Sequence, residues 1–253
     1  MKRAISGDLK RRGPAGFGAA ALVALAACSG PVQKPARAEP ESSAWVTTPM
    51  IEAAERAPDG LILRGVTAPA GRVVVRAAAG VAYATSADNQ GRFVLRVGAP
   101  ATDSLFVVET QNGQEAAPAP YRLLMTRDPA GPIALLAPGG PSRRLDRTGP
   151  LDVIDSDGRA MLASGRTAPG GAVPVAMNDG VERELVAGPD GRWIFPIEGA
   201  SVIMIGARRY ARPEMGKVSA TTPLTVSSVS GGRLVVWSAS PGAAQSSWFP
   251  EGG

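Results

Sequence analysis

The sequence predicts an all-β protein built from two tandem antiparallel sandwiches. One motif recurs at an offset of 100 residues. Short runs of β-branched and aromatic residues follow one another at roughly 8–12-residue spacing, with Gly, Pro, Asp and Asn between them. The single cysteine lies near the N-terminus, so no disulfide framework holds the remainder together.

In chain order, residues 1–27 come first. Lys2, Arg3, Lys10, Arg11 and Arg12 precede an apolar run from Phe17 to Ala27, which closes on Leu25-Ala26-Ala27-Cys28. A basic stretch, a short apolar stretch and small residues make a secretory signal. The run is shorter than the ~20 residues that a membrane-spanning helix needs. The segment resembles the signal of bacterial lipoproteins, whose box is Leu-small-small-Cys. That resemblance implies cleavage before Cys28 and acylation, palmitate-like, of its thiol and new amino group. Ser29 stands where an aspartate commonly retains such proteins at the inner membrane, which implies the outer membrane. Two other readings stay open: an ordinary signal peptide with a chance cysteine, and a twin-arginine signal through Arg11-Arg12.

Residues 28–48 are rich in Pro, Ala, Ser and Glu. They carry too little apolar surface to offset the entropy of ordering, and are expected to be a flexible tether. About 20 extended residues reach at most ~70 Å.

The two repeats come next, at 49–138 and 151–253, with 139–150 expected as a linker. Gly65-Val66-Thr67-Ala68-Pro69-Ala70-Gly71 returns as Gly165-Arg166-Thr167-Ala168-Pro169-Gly170-Gly171. Gly91-Arg92-Phe93 returns as Gly191-Arg192-Trp193, and Ile133–Leu136 is matched with Leu234–Trp237. Strands are expected around Val73–Val75, Phe93–Val97, Leu105–Val108 and Tyr121–Met125. Their counterparts lie around Ala172–Val175, Trp193–Ile197, Val202–Ile205 and Leu224–Val226. In the motif, proline sets one turn dihedral and the last glycine allows positive φ. Pro174 interrupts its strand and puts that strand's pairing in question. Met50–Arg56 is the one place that suggests a helix.

These motifs resemble the tandem bacterial immunoglobulin-like modules of envelope and secreted proteins. Those show Gly-x-x-x-Pro-Gly-x-x-Val-x-Val and then an Asp/Asn-Gly-x-Phe/Trp turn. Here the stretches are Gly65 to Val75 with Asn89 to Phe93, and Gly165 to Val175 with Asp190 to Trp193. The resemblance implies two β-sandwiches and roles in adhesion, spacing, or contact with protein or glycan.

Composition narrows the chemistry. The chain has 27 basic and 22 acidic residues, but five basic residues and one acidic fall in the first 27 positions. The chain beyond residue 27 is near neutral, so nucleic acid is not an expected partner. With no histidine in the sequence, Ser-His-Asp and Cys-His pairs and the usual zinc sites are excluded. No paired carboxylates form a recognisable motif, so no catalytic residues and no cofactor are assigned.

Candidate contacts remain. Arg208, Arg209, Tyr210 and Arg212 form the densest basic cluster after the signal, aligned with Gln111-Asn112-Gly113, a hairpin tip in the first repeat. They read as a solvated loop, with contact to an anionic partner as the functional alternative. Trp248 and Phe249 are either an exposed docking tail or a cap on the second sandwich. Phe93 and Trp193 read as core aromatics, with a sugar-stacking platform as the other possibility. Asp152, Asp155 and Asp157 before Gly158 are a weak calcium candidate, lacking the distal Glu of a calcium loop; a solvated turn is the other reading. Together these features predict a lipid-anchored, non-catalytic protein of the cell envelope. It would face the periplasm from the outer membrane as a spacer or protein-binding module, or else bind peptidoglycan or another polysaccharide.

Overall fold

The computed structural model describes residues 47–251 apart from 79, 114, 147–148, 179 and 216–223. The signal, Cys28 and nearly all of the expected tether lie outside the described residues. The first repeat opens with β1 (Met50–Ala57) and β2 (Gly60–Val66). It continues through β3 (Arg72–Ala77), β4 (Ala82–Ser86), β5 (Arg92–Gly98), β6 (Ser104–Asn112) and β7 (Glu115–Met125), then β8 (Ile133–Leu136) and β9 (Arg143–Arg144). The second comprises β10 (Val153–Ser156), β11 (Met161–Arg166), β12 (Ala172–Met177), β13 (Arg183–Val186), β14 (Arg192–Pro196), β15 (Val202–Ile205) and β16 (Arg208–Ala211). Three further strands close it: β17 (Leu224–Val229), β18 (Gly232–Ser240) and β19 (Ala243–Pro250). No helix occurs among the described residues, and Met50–Arg56 belongs to β1 rather than to a helical turn.

Among the described residues all strand pairs are antiparallel. The first repeat contributes sheets β1-β2-β5 and β4-β3-β6-β7-β8-β9. The second contributes β14-β11-β10-β19-β18-β17 and β13-β12-β15-β16. Stripped of additions, the two repeats share one strand order, β1-β2-β5 over β4-β3-β6-β7 and β10-β11-β14 over β13-β12-β15-β16. This all-β sandwich fold is compatible with immunoglobulin-like domains.

The repeated motif has a shared geometry. Thr67 N–H donates to Gly91 O and Thr167 N–H to Gly191 O, both at 2.8 Å. Ala87 N–H donates to Gly71 O and Ala187 N–H to Gly171 O, both at 2.9 Å. Gly65 and Gly165 are glycine because a backbone carbonyl, Met50 O or Pro150 O, closes on the position where a Cβ would stand, and an aromatic ring lies next to it. A Cβ on Gly65 would sit 2.7 Å from the Phe93 ring, and one on Gly165 would sit 2.6 Å from the Trp193 ring. Phe93 and Trp193 are buried core residues paired with those glycines, so they offer no stacking platform. Pro174 is accommodated inside its sheet. Its partner strand β15 has already turned at Gly206, whose N–H donates to Pro174 O at 2.8 Å, so the missing proline N–H faces no ladder.

Among the described residues, three apolar cores separate the four sheets. One lies within the first sandwich, around Leu63, Val75, Phe93 and Leu123. Another lies within the second, around Val175, Trp193, Ile203 and Trp248. The third joins the sandwiches: Leu124, Ala134 and Leu136 from β7 and β8 meet Val153, Val235, Trp237 and Phe249 from β10, β18 and β19. Leu123 and Met125 point into the first core while Leu124 points into the third, as side-chain alternation requires. Strands β8 and β10 are therefore buried on both faces. Ala44–Gly253 make one compact unit.

Two expectations change here. Segment 139–150 is more than a linker: Arg143 and Arg144 form β9, paired with Leu135 and Ala134. The match of Ile133–Leu136 with Leu234–Trp237 also fails in space. β8 extends the sheet of β7, whereas β18 lies two strands from β10 in a different layer, β19 standing between them.

Trp237→Ala should lower unfolding free energy by about 3–5 kcal/mol, the usual cost of emptying an aromatic site in a core. Urea titration followed by circular dichroism measures this. Ala70 holds φ +58° where the second repeat has Gly170 at +68°. Ala70→Gly should therefore raise stability by about 0.5–1 kcal/mol, because only a side chain meets a steric penalty there. Gly170→Ala should lower it comparably, read as opposite shifts in melting temperature.

Candidate functional site

The basic cluster lies on β16 and its flank. Gly206-Ala207 makes a two-residue turn, with Gly206 at φ +55°, and Ile205 pairs with Arg208 across it. Tyr210 then points inward and is 6% exposed, while Arg208 and Arg209 stay exposed. Beside β16 lies an open cavity of about 440 Å³. Arg208, Arg209, Tyr210 and Ala211 line it on one side, and Ser230, Gly231, Trp248 and Glu251 on the other. Ser230-Gly231 is the turn between β17 and β18, with Gly231 at φ +72°.

The cavity is polar at its rim and aromatic at its base. Tyr210 Oη and Trp248 Nε1 are buried and find no hydrogen-bond partner among the described residues. The indole nitrogen is packed close to Gly232, where a Cβ would come within 2.9 Å of it. Glu251 donates its N–H to Gly231 O at 2.8 Å, and its carboxylate lies 3.6 Å from Arg233 Nε. The rim thus holds cationic groups on β16 facing one carboxylate.

The structure gathers some of the expected residues and separates others. Arg208, Arg209, Tyr210 and Trp248 share this cavity. Arg212 is tied to nearby carbonyls instead, donating to Ala200 O ahead of β15 at 2.9 Å and to Pro213 O at 2.8 Å. Trp248 and Phe249 are not an exposed docking tail. Both are 1% exposed within β19, where Trp248 enters the second core and Phe249 the third. The alignment with Gln111–Gly113 also shifts. Ile203 faces Tyr210 as Phe106 faces Leu123, so β16 matches the later half of β7, and Arg209 stands where Arg122 does. The first repeat's hairpin is longer, which displaced the sequence alignment. Ser230, Gly231 and Glu251 escaped the sequence reading, although Ser-Gly after an apolar run marks a hairpin turn.

The acidic trio does not converge on a cation. Asp152 accepts from Arg166 Nε at 2.9 Å, and Asp157 accepts from the N–H groups of Arg159 and Ala160 at 2.8 Å in its own turn. Asp155 accepts from Ser142 N–H at 2.6 Å, Ser142 Oγ at 2.8 Å and Ser247 Oγ at 2.6 Å. No group of three or more acidic, histidine or cysteine side chains able to hold a metal occurs among the described residues. Asp152 and Asp155 are both raised above the usual carboxylate range, mainly by burial, against the pull of those hydrogen bonds. Neither residue lines the β16 cavity.

No protein-family model matches the chain, and no curated protein matches it.

A carboxyl whose folded pKa exceeds its unfolded value stabilises the fold when protonated. That contribution is complete below the unfolded value of about 3.9 and is lost as pH rises through the raised folded value. Asp155→Asn should therefore flatten the fall of melting temperature with rising pH, leaving the part due to Asp152. Melting curves of both proteins between pH 3 and 8 measure the difference.

Proposed function

We propose that this chain is a non-catalytic, lipid-anchored protein of the bacterial cell envelope, a spacer or protein-binding module facing the periplasm from the outer membrane. The observation that carries the reading is the third core. Two sandwiches joined through Leu124, Leu136, Trp237 and Phe249 act as one stiff body rather than as beads on a string. On a tether that reaches ~70 Å when extended, such a body suits presentation of a binding face away from a membrane. The cavity beside β16, rimmed by Arg208 and Arg209, is the face best suited to a partner. The absence of histidine and the separation of the acidic side chains into local ion pairs and turns both weigh against hydrolytic chemistry.

The glycan reading has less support. Sugar binding through stacking needs exposed ring faces, and Phe93, Trp193, Trp237, Trp248 and Phe249 are all buried.

Anchoring rests on Cys28 and the resemblance of its flanks to a lipoprotein signal. One acyl chain binds a membrane marginally, whereas two or more hold it stably, at about 0.8 kcal/mol per buried CH₂. Cys28→Ala should abolish the acyl mass increment and release the protein from the membrane fraction or arrest its processing. Intact-mass measurement and fractionation test this. Unchanged mass together with unchanged membrane retention would remove the anchor from the proposal.

A further inference from the structure

The two repeats treat one strand edge differently. In the first, the outer edge of β7 is covered: Arg122 pairs with Leu136 and Leu124 with Ala134 of β8. In the second, the matching strand β16 ends its sheet. Hydrogen bonds in an antiparallel pair alternate, so every second residue turns its N–H and C=O away from its partner. Arg212 N–H donates to Ser201 O at 2.9 Å, which fixes the phase. Arg208, Tyr210 and Arg212 therefore face β15 through their backbones, while Arg209 and Ala211 face outward. Those are the counterparts of Arg122 and Leu124, which stand opposite Leu136 and Ala134 in the β7–β8 pairing. The 440 Å³ cavity runs along this outer edge.

We infer that the outer edge of β16 binds an extended acidic peptide segment of a partner protein by strand addition, the segment taking the place that β8 holds in the first repeat. The length required is set by that template: β8 is four residues long, and so is β16. Backbone pairing supplies affinity in such complexes, and alternate side chains supply specificity. Arg209 alternates with the buried Tyr210 and so lies on the outer face, where acidic residues of the added strand would stand across from it. The residues between them would point to the cavity side, over Tyr210, Gly231 and Trp248, where there is room for small apolar side chains but Glu251 disfavours further acid.

The other edge that lacks its counterpart's neighbour is β1, since β10 is covered by β19. It is plugged by side chains instead. Tyr121 Oη accepts from Ile51 N–H at 2.9 Å, and the Arg143 guanidinium donates to Ile51 O. No hydrogen bond from a side chain plugs Arg209 or Ala211 among the described residues, although the Ser230-Gly231 turn comes close to Ala211 O, 3.9 Å from where a Gly231 Cβ would stand.

This inference rests on the protein-binding reading but not on the anchor, so its test is independent of Cys28. The probe is a fluorescein-labelled eight-residue peptide of alternating Glu and Val, titrated against the full chain by fluorescence anisotropy. A companion peptide is N-methylated at every second residue, which keeps the charge and removes the pairing donors. Binding of the first peptide, weakened at least tenfold by N-methylation and by Ala211→Pro, is the expected result. Arg209→Glu should reverse the preference toward a Lys-Val peptide. Hydrogen exchange of the Arg209 and Ala211 amides, which face away from β15, should be fast in the free chain and slowed by the peptide, and melting temperatures of the variants report whether they fold. Equal binding of both peptides means ionic adsorption without strand addition and overturns the inference, as does no measurable binding. Exchange already slow in the free chain would mean that the edge is covered by this protein itself, and would overturn it too. Either failure leaves crosslinking of the intact envelope protein to decide whether it binds a partner elsewhere.

Discussion

The third core is the constraint on which the rest depends. A strand that packs on one sheet only can keep its outer face polar. β7 and β8 cannot, because Leu124, Ala134 and Leu136 cover the neighbouring sandwich while Leu123, Ile133 and Leu135 fill their own. β19 makes the same double commitment through Trp248 on one face and Phe249 on the other. Burial of these side chains on both faces removes the hinge that a tandem repeat would otherwise have. A movement of one sandwich against the other would expose apolar area at ~25 cal/mol per Å².

Around that apolar contact lies a set of buried polar groups that fixes its register. Arg144 pairs with Asp146 at 3.0 Å and donates to Pro250 O at 2.7 Å, bringing β9 to the end of β19. Arg166 joins Asp152 to the carbonyl of Arg144. Gln245 accepts from Gly139 N–H and donates to Ala137 O, so residues 137–146 are stitched to β10 and β19 along their length. Ion pairs of this kind add little net stability once desolvation is counted, but removing one partner leaves a buried charge. Their effect is directional. They allow one seating of the two sandwiches, whereas greasy surfaces alone would allow several.

The repeats diverge in how each continues after its seventh strand. The first stays in its sheet and caps β7 with β8. The second crosses to the other sheet, where β17, β18 and β19 extend the edge of β10. That crossing builds the third core and also leaves β16 uncapped. The surface proposed for a partner is thus a consequence of the same choice that locks the sandwiches together. An uncapped strand is a hazard for aggregation unless charge or a neighbour guards it, and Arg208 and Arg209 supply the charge.

The repeat, the all-β class and the turn chemistry were legible because they are local. Gly65 with Phe93 and Gly165 with Trp193 are cross-strand pairs that recur at constant spacing, and Gly91 and Gly191 mark turns that only a few residue types can form. Residues whose meaning is set by a distant neighbour were not legible. Trp248 and Phe249 could be a tail or a cap until β10 and β18 are seen beside them, and Arg143-Arg144 looks like part of a linker until β8 pairs with it. Strands buried on both faces lose the alternation that reveals a strand. Gln245, Ser246 and Ser247 are polar yet interior; Gln245 bonds Gly139, Ala137 and Asp155, and Ser247 bonds Asp155. The sequence alone determined the all-β class, the repeated motif and its turns, and the strands that alternate or run β-branched; it left β1, β9 and β19 unread. Which sheet each late strand joins, and therefore which edge is left open, was decided by the packing of three cores at once.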